Sequence, residues 1–266
     1  MYCLETKPAP KDAIALCRSA PYVGDTTHPD QTIQMNRLVL YNYFRSSTSF
    51  RVRLALELKK LIYEYKPIHL LNNGGEQHSS EYKSLNPMGG VPTLVHITQN
   101  GDRKIIAQSL AIIEYLDEVF RDNHPLYPQD PYQKALIRQF CEIINADTHS
   151  YGNLRTLQYL EKNFNVTEEQ KNNWIHHWIL IGLQACEDFL TLHNKNSSHL
   201  LFCFGEEITA ADLVLIPQIV TAQRFKVPLH SLPTIMKIFN NCMEIDAFKK
   251  AHPFRQIDTP DELRLT

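Results

Sequence analysis

The 266-residue chain lacks most of the features that would assign it quickly. Its longest apolar stretches, such as Trp178–Ile181 and Leu213–Ile216, fall far short of the roughly 20 residues a membrane helix needs. No Cys-x-x-Cys pair occurs, and Cys3, Cys17, Cys141, Cys186, Cys203 and Cys242 are scattered. That disfavours a disulfide framework or a zinc site and predicts buried free thiols in a reducing compartment. Net charge is only −2, from 27 basic and 29 acidic residues, so no basic excess points to nucleic acid or an anionic membrane. Gly (9) and Pro (15) are too few for a collagen-like or low-complexity chain. No Gly-x-Ser-x-Gly elbow, phosphate loop or His-Glu-x-x-His is present, and the adjacent His176 and His177 diverge by about 100° on a helix. The first residues carry no apolar signal core, and acids (Glu5, Asp12, Asp25, Asp30) offset the bases Lys7, Lys11 and Arg18. Neither a secretory nor a transit peptide is expected, which leaves the cytoplasm.

What is present is enough apolar material, 43% of residues, for a substantial core, and a length that suits two domains. Residues 1–36 are broken by prolines and read as a loose extension. Leu38–Tyr43 reads as a strand, Phe50–Lys60 as a helix and Tyr63–His69 as a second strand ending at Asn72-Asn-Gly-Gly75. Val91–Ile97 and Lys104–Ala107 flank an Asn100-Gly101 turn, the pattern of a hairpin. Ser109 opens a helix with Ile112, Ile113, Leu116, Val119 and Phe120 on one stripe. A polar, proline-bearing stretch at 123–131 reads as a linker. Helical patterns follow at Tyr132–Leu160, Thr167–Leu192, Ala210–Phe225 and Thr234–Ala247, with Thr209-Ala-Ala-Asp212 resembling a capping box. Trp174, Trp178 and Ile181 have helical spacing and read as core. The layout is a small α/β domain, 37–122, followed by an all-helical one, 132–266.

Four hydroxyl residues, Ser46 to Ser49, sit where strand gives way to helix. Backbone N–H groups and the helix dipole favour an anion there, a thiolate included. A plain N-cap with surplus serines accounts for the same residues. Pro92 suits a strand start, where a cis bond would turn the Val91 N–H and C=O outward as a peptide clamp; a simple turn is the alternative. Gln108-Ser109 marks a second helix start able to hold a carboxylate. Arg45, Arg51 and Arg53 form a basic cluster, read as a solvated or ion-paired face that would also attract an anion.

These residues resemble the zeta class of glutathione transferases over about residues 37–262. The likeness lies in Tyr43-Phe-Arg-Ser-Ser-Thr-Ser-Phe-Arg-Val-Arg-Leu-Ala-Leu56, in Leu85-Asn-Pro-Met-Gly-Gly-Val-Pro-Thr-Leu94 and in Gln108-Ser-Leu-Ala-Ile-Ile-Glu-Tyr-Leu116. It continues in Asn153–Gln158, Ala210–Leu213, Ala222-Gln-Arg-Phe225 and Ala251-His-Pro253. The resemblance implies a thioredoxin-like glutathione-binding domain, an all-helical domain shaping the second substrate's pocket, and a homodimer. It implies a glutathione-dependent isomerase of maleylacetoacetate, in which reversible thiolate addition lets a cis double bond rotate. A general transferase acting on haloacids, or a non-catalytic module of the same fold, is the alternative. Ser46 and Ser47 match the catalytic serines. Thr48, Ser49, Phe50, Arg51, Gln77 and Val91 fall on glutathione-binding positions, as do Gln108, Ser109, His149 and Asn153. Arg224, with Arg45, is placed for a substrate carboxylate. Thr48 departs from the motif, which has Cys there. Activity should survive that change, because the attacking thiolate belongs to glutathione.

Overall fold

The computed structural model describes residues 36–194 and 200–265. The expected extension up to residue 35, with Cys3 and Cys17, lies outside them. The chain begins with β1 (Arg37–Asn42), α1 (Ser47–Leu58) and β2 (Tyr63–Pro67). Two 3₁₀ turns over Asn72–His78 lead into α2 (Ser80–Leu85), the hairpin β3 (Thr93–Ile97) and β4 (Arg103–Ala107), and α3 (Ser109–Val119). The sheet order is β2-β1-β3-β4, with β1 parallel to β2 and antiparallel to β3. The parallel step requires a crossover, which α1 supplies. Leu40 pairs with Leu94 and Leu94 with Ile106, so one apolar row crosses the sheet. This is the expected α/β architecture, and the Asn100-Gly101 turn closes the hairpin with Gly101 at φ 85°.

The helical part starts at α4 (Pro131–Asn145) and continues through α5 (His149–Gly152), α6 (Leu154–Phe164) and α7 (Glu168–His193). It ends with α8 (Ala210–Arg224), α9 (Pro233–Met243) and α10 (Asp246–Ala251). The continuous helix expected over Tyr132–Leu160 is therefore broken twice. Thr148 turns its hydroxyl back to the Ile143 carbonyl (2.7 Å), and Asn153 caps a fresh helix by accepting from Thr156 N–H (3.0 Å). Thr234–Ala247 divides likewise at Glu244-Ile245, between α9 and α10.

Helix α1 lies between the sheet layer and the helices, contacting α3, α8 and α10. Every residue from Ser49 to Leu56 is buried, so α1 has no solvent stripe. Arg51 and Arg53 are fully buried, which overturns the reading of a solvated basic face. Arg53 donates from Nη1 to Asn42 Oδ1 (2.9 Å), from Nη2 to the Phe44 carbonyl (2.9 Å) and from Nε to the Ala251 carbonyl (3.0 Å). It ties the strand exit to α10.

The expected linker, 123–131, is tied down near its start. Leu126 is fully buried, and Lys59 Nζ reaches Asp117 (2.8 Å) and the Asn123 and His124 carbonyls. On α7 the core face is Ile175, Ile179, Leu183, Cys186 and Leu190. Trp174 and Trp178 are only half-buried, and Ile181 is exposed, so that predicted core stripe is displaced by about one position. Cys141, Cys186, Cys203 and Cys242 are buried free thiols, as expected.

Candidate functional site

The hydroxyl loop fills the first turn of α1. Ser46 is the N-cap, with extended backbone, and its Oγ accepts from Ser49 N–H (3.1 Å). No acidic residue lies in the first turn, so nothing in the helix itself neutralises the partial positive charge of its start. Ser46, Ser47 and Thr48 are half-buried and open to a ligand. Thr48 Oγ1 lies 2.9 Å from Ser46 Oγ and donates to the Val91 carbonyl (3.0 Å). The hydroxyl loop thus faces the predicted clamp directly.

The Val91 segment is built by α2. The Val91-Pro92 bond is cis. Tyr82 Oη and Asn86 Nδ2 both donate to the Gly90 carbonyl (2.6 and 2.8 Å), holding the loop from below. Gly89, at φ 59°, sits against the Gln77 carbonyl, which a Cβ would meet at 2.8 Å. That close approach brings Gln77 beside the clamp. Gln77 is buried, donates to the Leu70 carbonyl (3.3 Å), and leaves its Oε1 without a partner. A buried acceptor left unpaired is costly, so a ligand N–H would relieve it.

At the α3 start, Gln108 takes φ 71°, an unfavourable conformation for a residue with a Cβ, and Ser109 follows as the first helical residue. Arg51 Nη1 donates to Ser109 Oγ (3.2 Å) and to Asn145 Oδ1 (2.9 Å), while Nε and Nη2 have no partner. Burial pushes the Arg51 pKa down to about 10, which still leaves it charged at neutral pH. A buried cation behind an α-helix start favours a carboxylate in front of it. Arg51 thus reaches the α3 start through the Ser109 hydroxyl. Ser49 and Phe50, also expected at the ligand, are fully buried. Phe50 packs edge-on to His252 and under Arg53, so its side chain belongs to the core.

Across the cleft, α5 brings His149 Nδ1 to 3.4 Å from Ser47 Oγ. Burial, then the Arg51 charge, pushes the His149 pKa down to about 3, so the imidazole is neutral. Close packing seats this helix. A Cβ on Gly182 of α7 would fall 1.8 Å from Thr148 Oγ1, and Tyr151 stacks on Trp178 with ring centroids 3.9 Å apart. Asn153 is engaged locally at both ends, with Thr156 N–H and the Ser150 carbonyl.

Arg224 ends α8, is exposed, and lies over the Phe225 ring (4.5 Å). Surrounding protein, then the like charge of Arg45, pushes its pKa down to about 10. Arg224, at the end of α8, thus feels the like charge of Arg45 from the loop before α1. Among the described residues neither has a carboxylate at ion-pair distance.

One contributor escaped sequence reading. Asp258 accepts from Phe44 N–H (3.0 Å) and from the Tyr65 hydroxyl, fixing the loop two residues before Ser46. It lies 214 positions from Phe44, and no local pattern marks that pairing.

Residues 45–119 match the family profile "Glutathione S-transferase, N-terminal domain". Maleylacetoacetate isomerase of Rattus norvegicus is 41% identical over 232 residues, 87% of this chain and 100% of that protein. A bacterial zeta-class maleyl pyruvate isomerase in its holo form superposes with TM-score 0.76 at 36% identity, covering 84% of this chain and all of the other. Maleylacetoacetate isomerase of Methylobacterium extorquens AM1, with bound malonate and glutathione, gives TM-score 0.75 at 33% identity over 84% and 99% of the two chains.

Proposed function

The chain belongs to the zeta class of the glutathione S-transferase family, and on that premise we propose that it is a glutathione-dependent cis–trans isomerase of maleylacetoacetate. The observation that carries the reading is the α1 start: three accessible hydroxyls, no carboxylate, and the Val91 carbonyl within hydrogen-bond reach.

The residues present fit glutathione, a tripeptide with a thiol and two carboxylates. Val91 offers backbone groups to its central residue. Ser109 and Gln108, backed by Arg51, suit the γ-glutamyl carboxylate, and the unpaired Gln77 Oε1 suits an N–H. Glutathione supplies, when bound, a thiolate able to add reversibly to a double bond conjugated to a carbonyl, so that the bond can rotate. Ser46, at the positive end of α1, holds that sulfur as an anion through a charge-assisted hydrogen bond. Lowering a thiol pKa by two units takes about 2.7 kcal/mol, within reach of one such bond plus the helix start. Arg224 and Arg45 hold the carboxylates of the diacid and the charge that develops on its carbonyl oxygen. His149, neutral, orients Ser47.

The test is an absorbance assay with maleylacetoacetate or a close analogue, with and without glutathione. Turnover that requires glutathione supports the reading. Glutathione binding without turnover favours a binding module, and turnover of haloacids alone favours a general transferase. The same reading assigns 37–122 to glutathione and 132–266 to the second substrate. It carries a homodimer and a cytoplasmic location, for which sedimentation velocity and cell fractionation are the tests.

A further inference from the structure

The hydroxyl protons of the α1 start can be counted, and the count constrains Ser46. A hydroxyl has one proton and two lone pairs, whereas a carbonyl only accepts. Thr48 must therefore donate in its 3.0 Å contact with the Val91 carbonyl. Its proton being engaged there, the 2.9 Å contact between Ser46 and Thr48 is carried by the Ser46 proton. Ser46 Oγ meanwhile accepts from Ser49 N–H. As the structure stands, the proton that should meet a thiolate points at Thr48, and the carbonyl that should meet a peptide N–H already accepts from Thr48 on one of its two lone pairs.

We propose that Thr48 is a positioning residue that couples the Val91 clamp to Ser46 through a reversible pair of hydroxyl bonds. This rests on the glutathione reading above. The Val91 carbonyl has two lone pairs, so a peptide N–H donating to it joins the Thr48 proton there and weakens that bond by drawing on the same oxygen. An acceptor within reach of that proton is the second lone pair of Ser46 Oγ, 2.9 Å away. Both hydroxyls then rotate. Each proton stays on its own oxygen, Thr48 donates to Ser46, and the Ser46 proton is released toward the sulfur. A hydroxyl that accepts a hydrogen bond is a stronger donor, so the reversed chain Thr48-to-Ser46-to-sulfur favours the anion more than Ser46 alone would. The Cys that the class motif has here is a weak donor and would neither hold the carbonyl nor polarise the serine comparably.

Two effects of opposite sign follow, which distinguish coupling from simple packing. Thr48→Val keeps the shape and removes the hydroxyl. The full-length wild type, Thr48→Val and Thr48→Ser are compared in two measurements. One is a pH titration of thiolate absorbance for bound glutathione; the other is calorimetric binding of S-methylglutathione, which has no thiol. Thr48→Val should raise the bound-thiol pKa by about half a unit or more. It should bind S-methylglutathione as tightly as wild type or about two- to threefold tighter, because the peptide N–H no longer shares the carbonyl with a second donor. Thr48→Ser should behave as wild type in both. An unchanged or lowered thiol pKa in Thr48→Val, or a matching loss of S-methylglutathione binding, would overturn the coupling while leaving the isomerase reading intact. A wild type that binds neither ligand would overturn both.

Discussion

Two helix starts in this protein use the same local physics for opposite ends. At α8, Asp212 accepts from Thr209 N–H and from Cys203 N–H, each at 2.8 Å, and from the Thr209 hydroxyl. Residues Ala210 to Ile219 are all buried around it. Burial pushes the Asp212 carboxyl up, and those N–H donors pull it back. At α1, Ser46 makes one cap bond, no acid follows, and Ser46, Ser47 and Thr48 stay only half-buried. A helix start sealed by its own carboxylate stabilises the fold; one left without a carboxylate keeps its field for an external anion.

The contrast breaks most visibly at Asp212. Asp212→Ala leaves two buried N–H groups unpaired and should cost about 3 kcal/mol or more, or roughly 6–12 °C in Tm. The thiol pKa of glutathione on whatever protein remains folded should stay at the wild-type value. A thermal scan beside a thiolate titration checks both, and a change in the titration would mean the two starts are not independent.

Ser46→Ala should show the reverse profile. Catalytic efficiency should fall by 1.5–3 kcal/mol, about 10- to 150-fold, because a charged acceptor loses its donor. Stability should fall by only about 1 kcal/mol, the worth of one cap. Unchanged steady-state kinetics would remove Ser46 from the chemistry.

Arg224→Ala separates the two substrates. For diacid substrates KM should rise about 10-fold or more as a charge-assisted pair is lost. Glutathione affinity and turnover of an uncharged electrophile should barely move. Equal losses for charged and uncharged substrates would make Arg224 structural and leave carboxylate recognition to Arg45.

The smallest effect is on pH dependence. His252 accepts Phe254 N–H through Nδ1, and burial, then Arg53 and Arg255, push its pKa down to about 4 from 6.5. Below pH 6.5 the unfolded chain takes up a proton that the folded one refuses. The His252 contribution to stability should therefore decline as pH falls from 6.5 toward about 4, and level off below. Urea midpoints across that range should slope less for His252→Gln, which keeps an acceptor without the charge. An identical slope would assign the pH dependence to other groups, His149 first.

Much of this was legible because it is local. The strand-to-helix junction at Ser46, the Asn100-Gly101 hairpin, Pro92 at a strand start and Thr209-x-x-Asp212 each work through residues a few positions apart. Steric and hydrogen-bonding preferences at that range do not need the rest of the chain. The class motifs likewise brought Gln77, Gln108-Ser109 and Arg224 into view.

Where periodicity was the guide, it failed on α1. Buried on every side, that helix has no polar stripe, and so its arginines read as surface. Strands, most helices and their caps could be read from sequence, since those choices rest on side chains and backbone within one or two turns; the breaks at Thr148, Asn153 and Glu244-Ile245 could not. The site itself comes from packing: Thr48 against Val91, 43 residues away; Ser47 against His149, 102 away; Phe44 against Asp258, 214 away. Such contacts depend on how whole elements pack, and no short window of sequence contains both partners.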